Sequence, residues 1–381
     1  MAAVKEKQLP AGIVKRSDGL YMARFQYDGI RYTLYDKDVE TLKNRMEDQK
    51  YELRHGIYQK EQSITVDDWF HTWLEEYKRN VVKPTTLELY ERTYKHHIFP
   101  YLKKRKLKDI RPEHIQRMLN QESKILGRQS MQRLRVIINS MFKQAYKNGI
   151  IKRNPVSMTT LPRGKVSGER RVMTKEEQEI FLKYTREVYY GDIFETALST
   201  GMRSGELRGL QWSDVDFDNR IIHITGTLVY TSATGHYKAT PKTATSRRDI
   251  PMLDNVYKIL KKRKKEQLEM KMMLGPDWNP IKRVPDLVFT KANGNLIEQS
   301  ILQKYLNHIL DLIHRDGIEF EHISPHTLRH TFATRCIENG MPPQVLKTIL
   351  GHTSLAMTMD LYSHVLPDTK AQELQKIAGL F

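Results

Sequence analysis

Hydrophobic positions near the start of the chain alternate with period 2. Residues 21–27 (YMARFQY) and 30–35 (IRYTLY) alternate on either side of Asp28-Gly29, which predicts a β-hairpin. A shorter strand around residues 13–15 precedes it across Asp18-Gly19, and Asp38 caps a helix carrying Thr41, Leu42, Met46 and Leu53, ending near Gly56. Arg24, Gln26, Arg31 and Thr33 fall on the outward face of this sheet. That mixture either reads a DNA groove, as a β-ribbon does, or forms an ordinary solvated face. From Ser63 the period lengthens. Thr65 and Asp68 form a capping box, and Trp69, Phe70, Trp73 and Leu74 make an apolar stripe at helical spacing, expected in a core. Thr85 opens a second helix with Leu87, Tyr90, Tyr94 and Ile98, which Pro100 is expected to stop. Arg111-Pro112 opens a third, ending near Leu119, and a fourth covers about residues 130–147 with Leu134, Ile137, Ile138, Met141 and Ala145 inward. Asn154-Pro155, Leu161-Pro162 and residues 164–168 are turn-rich, as in a linker. From Thr174 the pattern is mostly helical, with one β-insert at residues 221–224, 228–230 and 248–251.

The fold class that follows is multidomain and mainly α. A three-stranded sheet plus helix spans residues 1–60, a four-helix module 61–155, a linker 156–173, and a mixed, mainly helical domain with a β-insert 174–381. The 381 residues carry 63 Lys/Arg against 45 Asp/Glu, a net charge of +18. Residues 61–165 alone hold 22 Lys/Arg against 10 Asp/Glu, so most of the excess lies in the helical module. Such concentration suits a module that tracks phosphates. Its candidates are the run Lys103, Lys104, Arg105 and the surface of the fourth helix, with Arg128, Arg133 and Arg135. No apolar run approaches the ~20 residues of a membrane span, and the first residues lack the apolar core of a signal peptide. The single cysteine, Cys336, excludes an intrachain disulfide. A cytoplasmic protein with no membrane partner is expected.

Candidate chemistry gathers towards the C-terminus. Ser324-Pro325 is a helix start, and His326 and Arg329 follow on one face, offering several N–H donors to one anion. Gly340 and Pro342-Pro343 separate this helix from the next, Gly351-His352 breaks the chain again, and Tyr362 closes the run. Further upstream, TGMRSGEL places Arg203 and Glu206 on one helix face, an arrangement that a buried structural ion pair would share. In the β-insert Lys242 sits in an exposed turn, with Lys238 equally eligible. His322, His326 and His330 recur every four residues, but Pro325 keeps them off one helix and Arg329 would set a positive charge beside a metal, so no metal is expected.

Taken in order, Arg203 in TGMRSGEL, Lys242 in the β-insert, His326 and Arg329 in HTLRHTFAT, His352 in LGHTS and Tyr362 in LYSHV resemble the signature of the tyrosine recombinase (lambda-type integrase) family. Residues 63–150 resemble its helical, SAM-like core-binding domain. Residues 10–56 resemble the AP2-like arm-binding domain of integrases from temperate phages and conjugative transposons. The resemblance implies a site-specific recombinase that integrates and excises a mobile element through a 3′-phosphotyrosyl intermediate, without cofactor. Tyr362 would be the nucleophile, with Arg203, Lys242, His326, Arg329 and His352 around the phosphate and Ser204 and Glu206 orienting Arg203. It also implies core-type and arm-type DNA sites, a tetramer on DNA, an excisionase and a host DNA-bending protein as partners, and a place on the nucleoid when DNA is bound. A type IB-like topoisomerase and a non-catalytic DNA-binding regulator are the rival readings. The apolar stripe of the tail (Ala371, Leu374, Ile377, Ala378, Leu380) either caps its own domain or docks on a neighbour.

Overall fold

The computed structural model describes residues 9–54, 64–165, 171–240 and 247–365, and it divides into two compact units between Val166 and Ser167. The first begins with three antiparallel strands, β1 (Ile13–Lys15), β2 (Tyr21–Tyr27) and β3 (Ile30–Asp36), in the order β1-β2-β3. Asp28 and Gly29 both adopt positive φ, +48° and +74°. Their twist matches that of the flanking strands and fixes the register, pairing Arg24 with Thr33 and Gln26 with Arg31. Helix α1 (Val39–Arg54) starts where the Asp38 carboxylate accepts from the Thr41 N–H at 2.8 Å, and packs Leu42 and Met46 against Ile13, Ala23 and Phe25.

The helical module follows as α2 (Val66–Tyr77), α3 (Pro84–Thr93), α4 (Phe99–Leu102), α5 (Pro112–Glu122) and α6 (Arg128–Lys147). Thr65 and Asp68 form the expected capping box, and Trp69, Phe70, Trp73 and Leu74 are all buried. The Trp69 indole N–H donates to the Met141 carbonyl at 3.1 Å, tying α2 to α6. Pro100 does not stop its helix. A π turn over Tyr94–Ile98 joins α3 to α4, with the Phe99 N–H reaching the Tyr94 carbonyl. The widened turn accommodates the proline ring, which in a regular helix would press on the carbonyl four residues back. The turn-rich stretch after α6 is not a free linker up to Lys165. Val156 is buried in the module's core, Arg135 donates to the Thr159 carbonyl at 2.9 Å, and Lys165 bridges to Gly127.

The second unit contains α7 (Lys175–Thr185), α8 (Asp192–Thr200), α9 (Ser204–Arg208), α10 (Asp254–Leu274), α11 (Gln299–Arg315), α12 (Pro325–Glu338), α13 (Pro343–Leu350) and α14 (Leu355–Val365). Its β-insert is larger than the sequence pattern suggests. Strands β4 (Val215–Asp216), β5 (Ile221–Ile224) and β8 (Arg248–Pro251) form one sheet in the order β4-β5-β8, while β6 (Thr227–Thr231) pairs with β7 (Gly235–Ala239) in a separate hairpin. The sequence GHYKA of β7 lacks alternating apolar positions, so periodicity gave no sign of it. A core of Phe181, Phe194, Ile222, Ile250, Leu306 and Leu328 links the helices to the β4-β5-β8 sheet. None of the described helices is long and apolar enough to cross a membrane.

Candidate active site

The site is assembled at the meeting of three chain breaks. Helix α8 ends on Gly201, whose φ of +64° turns the chain sharply away from the helix. A Cβ at Gly201 would lie 2.4 Å from the Phe332 ring and 2.9 Å from Leu350, so only glycine fits. Two residues later Arg203 is the N-cap of α9, not a residue within the helix as the pattern implied. Glu206 reaches back to the Arg203 N–H at 2.9 Å and accepts from its Nη1 at 2.8 Å, a capping box made with a charged pair. Arg248, on β8, donates to both Glu206 oxygens at 3.0 and 2.8 Å. Burial alone would push the Glu206 carboxyl up, but hydrogen bonds and charge from Arg248, then from Arg203, bring it down to about 2.

Arg329 projects from α12 into this cluster. Ser324 caps the helix, with the Thr327 N–H donating to its hydroxyl, and Pro325 stands in the first turn, as read from the sequence. The buried Arg329 guanidinium donates to the carbonyls of Gly201 and Leu350, both at 2.7 Å. Arg203 donates to the next carbonyl, Gly351, at 2.9 Å, and Arg248 Nε donates to the preceding one, Ile349. Three guanidiniums thus hold three consecutive carbonyls at the C-terminal end of α13, where the Gly351 φ of +64° ends the helix. Burial and the neighbouring guanidiniums lower Arg329 to about 9.

His352 follows directly and is nearly buried, its Nδ1 sharing a hydrogen bond of 2.9 Å with the Thr358 hydroxyl. Desolvation, then Arg329, Arg203 and Arg248, push its pKa down to about 4. Desolvation and the same two arginines, Arg329 and Arg203, lower His326 as well. Both imidazoles are therefore neutral near pH 7 and can donate or accept. An unfolded histidine titrates near 6.5, so between about pH 4 and 6.5 the unfolded chain binds more protons at His352 than the folded one. Its contribution to stability is complete above about pH 6.5 and is lost as pH falls towards 4, about 3 kcal/mol at most. Denaturation midpoints should therefore fall from pH 7 to pH 5 less steeply in His352→Asn than in the parent chain. Equal slopes would remove His352 as the source.

The structure does not bring every expected residue to the cluster. The Tyr362 hydroxyl, on α14, donates to the Met341 carbonyl between α12 and α13, and its ring packs with Ile337, Leu346 and Leu361. Burial raises its pKa, and Cys336 adds to this. Ser204 donates to Gln299 at 3.3 Å and leaves Arg203 to Glu206, so it does not orient that arginine. Lys242 and the tail beyond Val365 lie outside the described residues. The alternative lysine, Lys238, is engaged with Asp214 at 2.6 Å and Gln211 at 3.0 Å, a structural role in the hairpin. Arg248 is the site residue that sequence reasoning missed. The available signal was its place on the inward face of β8 with Ile250, where a buried arginine needs an acidic partner.

Of the candidate DNA-contact residues in the first unit, Arg24, Gln26 and Arg31 are exposed on one face of the sheet. Lys104, Arg105, Arg128 and Arg133 are also exposed, while Lys103 lies 4.2 Å from the centroid of the Phe99 ring. Arg135 already holds the Thr159 carbonyl. A cavity of about 580 Å³ beside α7 and the α11–α12 connection is lined by Glu177, Glu319 and Glu321, of which Glu177 and Glu321 are paired with Arg171.

Removing the special conformation at Gly201 tests how the cluster is held. Gly201→Ala should cost about 1–2 kcal/mol for the left-handed backbone and about 1–3 kcal/mol for overpacking on Phe332. Urea denaturation measures the sum. Adding Phe332→Leu should recover only the part of the overpacking that falls on Phe332, leaving the contact with Leu350 and the backbone cost, and a neutral Gly201→Ala would show that the turn tolerates a Cβ.

Comparison with known proteins decides the family. Residues 171–368, just over half of the chain, match the model of the phage integrase family. The chain belongs to that family, the lambda-type tyrosine recombinases. Residues 65–123 of this recombinase also match the N-terminal SAM-like domain of phage integrases. It is 29% identical over 374 residues to a XerC-like tyrosine recombinase of Caldanaerobacter subterraneus subsp. tengcongensis, covering 92% of each chain. It is 30% identical over 214 residues to the transposase of transposon Tn916 from Enterococcus faecalis, covering 54% of this chain and 51% of the transposase. Among solved structures, the Tn1549 transposon integrase in complex with transposon right-end DNA matches at a TM-score of 0.71 and 23% identity, over 83% of this chain and all of the other. A lambda integrase dimer bound to a core site matches at 0.55 and 21%, over 94% and 96%. The mainly helical, multidomain fold of this recombinase is theirs.

Proposed function

We propose that this recombinase integrates and excises a mobile element by cutting and rejoining DNA through a 3′-phosphotyrosyl link, with Tyr362 as nucleophile. The observation that carries the site assignment is the surplus of positive charge at the end of α13. Among the described residues Arg203, Arg248 and Arg329 face a single carboxylate there, and the hydrogen bonds of the buried Arg329 go to carbonyls. A buried cation paired only with dipoles gains most from an incoming anion, and forked guanidiniums fit the oxygens of a phosphodiester.

In the reaction the phenolate oxygen of Tyr362 bonds to phosphorus as the bond to the 5′-oxygen breaks. Arg203 and Arg329 take the charge that accumulates on the non-bridging oxygens. A Thr358 hydroxyl donating to His352 Nδ1 leaves Nε2–H free to donate there too. His326 accepts the phenol proton, and Lys242 gives a proton to the departing 5′-oxygen. The 5′-hydroxyl of a partner strand then attacks the phosphotyrosine and the phenol leaves, so one phosphoester replaces another without ATP. The scheme calls for no metal ion. Tyr362 must leave the Met341 carbonyl before the first step.

Exchange between two duplexes requires four protomers, and the likeness to a lambda integrase tetramer bound to a Holliday junction, TM-score 0.55, supports that assembly. The basic surfaces of the helical module suit core-type sites, and the exposed Arg24, Gln26 and Arg31 suit an arm-type site. An excisionase and a DNA-bending protein would set the direction of the reaction. Incubation with a core-site duplex nicked next to the cleavage point tests the reading, because loss of the short product traps the covalent adduct. An adduct resistant to detergent is expected. DNA binding without any adduct would favour a regulator, and relaxation of supercoiled DNA lacking the site by a monomer would favour a topoisomerase.

A further inference from the structure

Helix α13 ends with carbonyls that have no partner within the helix and with the negative end of its dipole. Ordinarily water or a glycine-led turn satisfies such groups. Here Ile349, Leu350 and Gly351 each accept from a different guanidinium, those of Arg248, Arg329 and Arg203 respectively. Two of these arginines were expected at the phosphate. The third, Arg248, has a side chain only 2% exposed; like Arg203 it touches both Glu206 and the end of α13, but its guanidinium holds both Glu206 oxygens where that of Arg203 holds one. Gly351 lets it do so, since a Cβ there would lie 3.0 Å from Arg248 Nη1.

We propose that Arg248 is a positioning residue for strand cleavage, which locks the Glu206 carboxylate and the α13 terminus into one frame that aims Arg203 and Arg329 before DNA arrives. The inference rests on the recombinase reading above and assigns Arg248 no contact with the phosphate. Its geometry explains why the frame needs an arginine. One planar fork spans both carboxylate oxygens while Nε, on the other edge, reaches the Ile349 carbonyl. A lysine has one ammonium and cannot bridge the two. Without Arg248, the Glu206 carboxylate would be left buried with Arg203 as its remaining cationic partner. Burial would then push its proton affinity up, and a protonated Glu206 would release Arg203.

The test uses the full chain and the nicked core-site duplex. Arg248→Gln and Arg248→Lys are compared with the parent for single-turnover adduct formation from pH 5 to 8, for DNA affinity by gel shift, and for melting temperature. Arg248→Gln should slow cleavage about 100-fold and Arg248→Lys about tenfold, with affinity within threefold of the parent. Both should show a fall in rate at acid pH beyond the one that protonation of His326 gives the parent, as Glu206 protonates, and Glu206→Gln should remove that excess. Loss of packing alone would not create such a limb. A parent-like rate and pH profile in Arg248→Gln, or equal losses of binding and cleavage, would overturn the role. If Arg248→Gln does not fold, Arg248→Lys decides by the same acid limb, and its absence there overturns the proposal. A parent chain that forms no adduct would instead refute the recombinase reading, since Arg248 is not its nucleophile.

Discussion

Tyr362→Phe is expected to bind core-site DNA as the parent does and to form no covalent adduct at any time or pH. The substitution removes one oxygen from a ring whose apolar part packs with Ile337, Leu346 and Leu361, so the packing survives. The lost hydrogen bond to Met341 should lower stability by about 0.5–1.5 kcal/mol, small enough to leave the fold intact. Chemistry is another matter, because no other group replaces an attacking oxygen. Where it now lies, the phenol is also poorly activated: burial raises its pKa, and it donates to a carbonyl instead of to a base. Moving it beside Arg203 and Arg329 would favour the phenolate. Adduct formation should therefore include a slow step in which Tyr362 leaves Met341. Covalent trapping by Tyr362→Phe, at even a hundredth of the parent level, would place the nucleophile elsewhere.

Much of the fold was legible because its determinants are local. Ser324 and Pro325 announce the start of α12, Asp28-Gly29 the hairpin, and Thr65 with Asp68 the start of α2, each through contacts within three residues. The ordered motifs supplied the residue types, and Arg203, His326, Arg329 and His352 do share one cluster. What escaped depends on contacts between distant parts of the chain. Arg248 meets Glu206 across 42 positions and Ile349 across 101, and Arg329 meets Gly201 across 128, separations at which no periodicity operates. Ser204 looked like a helper because it neighbours Arg203 in sequence, yet its side chain points to Gln299. The π turn before Pro100 was hidden for a different reason: a proline reads as a stop, and only the packing of Tyr94 and Ile98 into the module's core makes the wider turn worth forming.

Arg329→Ala should lose cleavage by at least about 10³-fold while keeping most of its DNA affinity. Removing one fixed donor to a developing oxyanion typically costs 10²–10³ in rate, and Arg329 supplies a fork in a buried site where such donors count most. Affinity should respond far less, because on the proposed reading the many lysines and arginines of the helical module would supply most of the phosphate contacts. Stability moves in two directions at once. The carbonyls of Gly201 and Leu350 each lose a donor, at about 1–3 kcal/mol apiece, but a buried cation without a carboxylate of its own also disappears, which offsets part of that. A net loss of about 2 kcal/mol is expected, measurable by urea denaturation and compatible with a folded chain at 25 °C. Arg329→Lys separates charge from geometry, since one ammonium cannot hold carbonyls on both sides. It should melt below the parent, by what the one abandoned carbonyl costs, and cleave at least about tenfold more slowly. Cleavage by Arg329→Ala within tenfold of the parent would show that the surplus charge at the end of α13 serves only to bind, and the phosphate undergoing attack would then have to lie elsewhere.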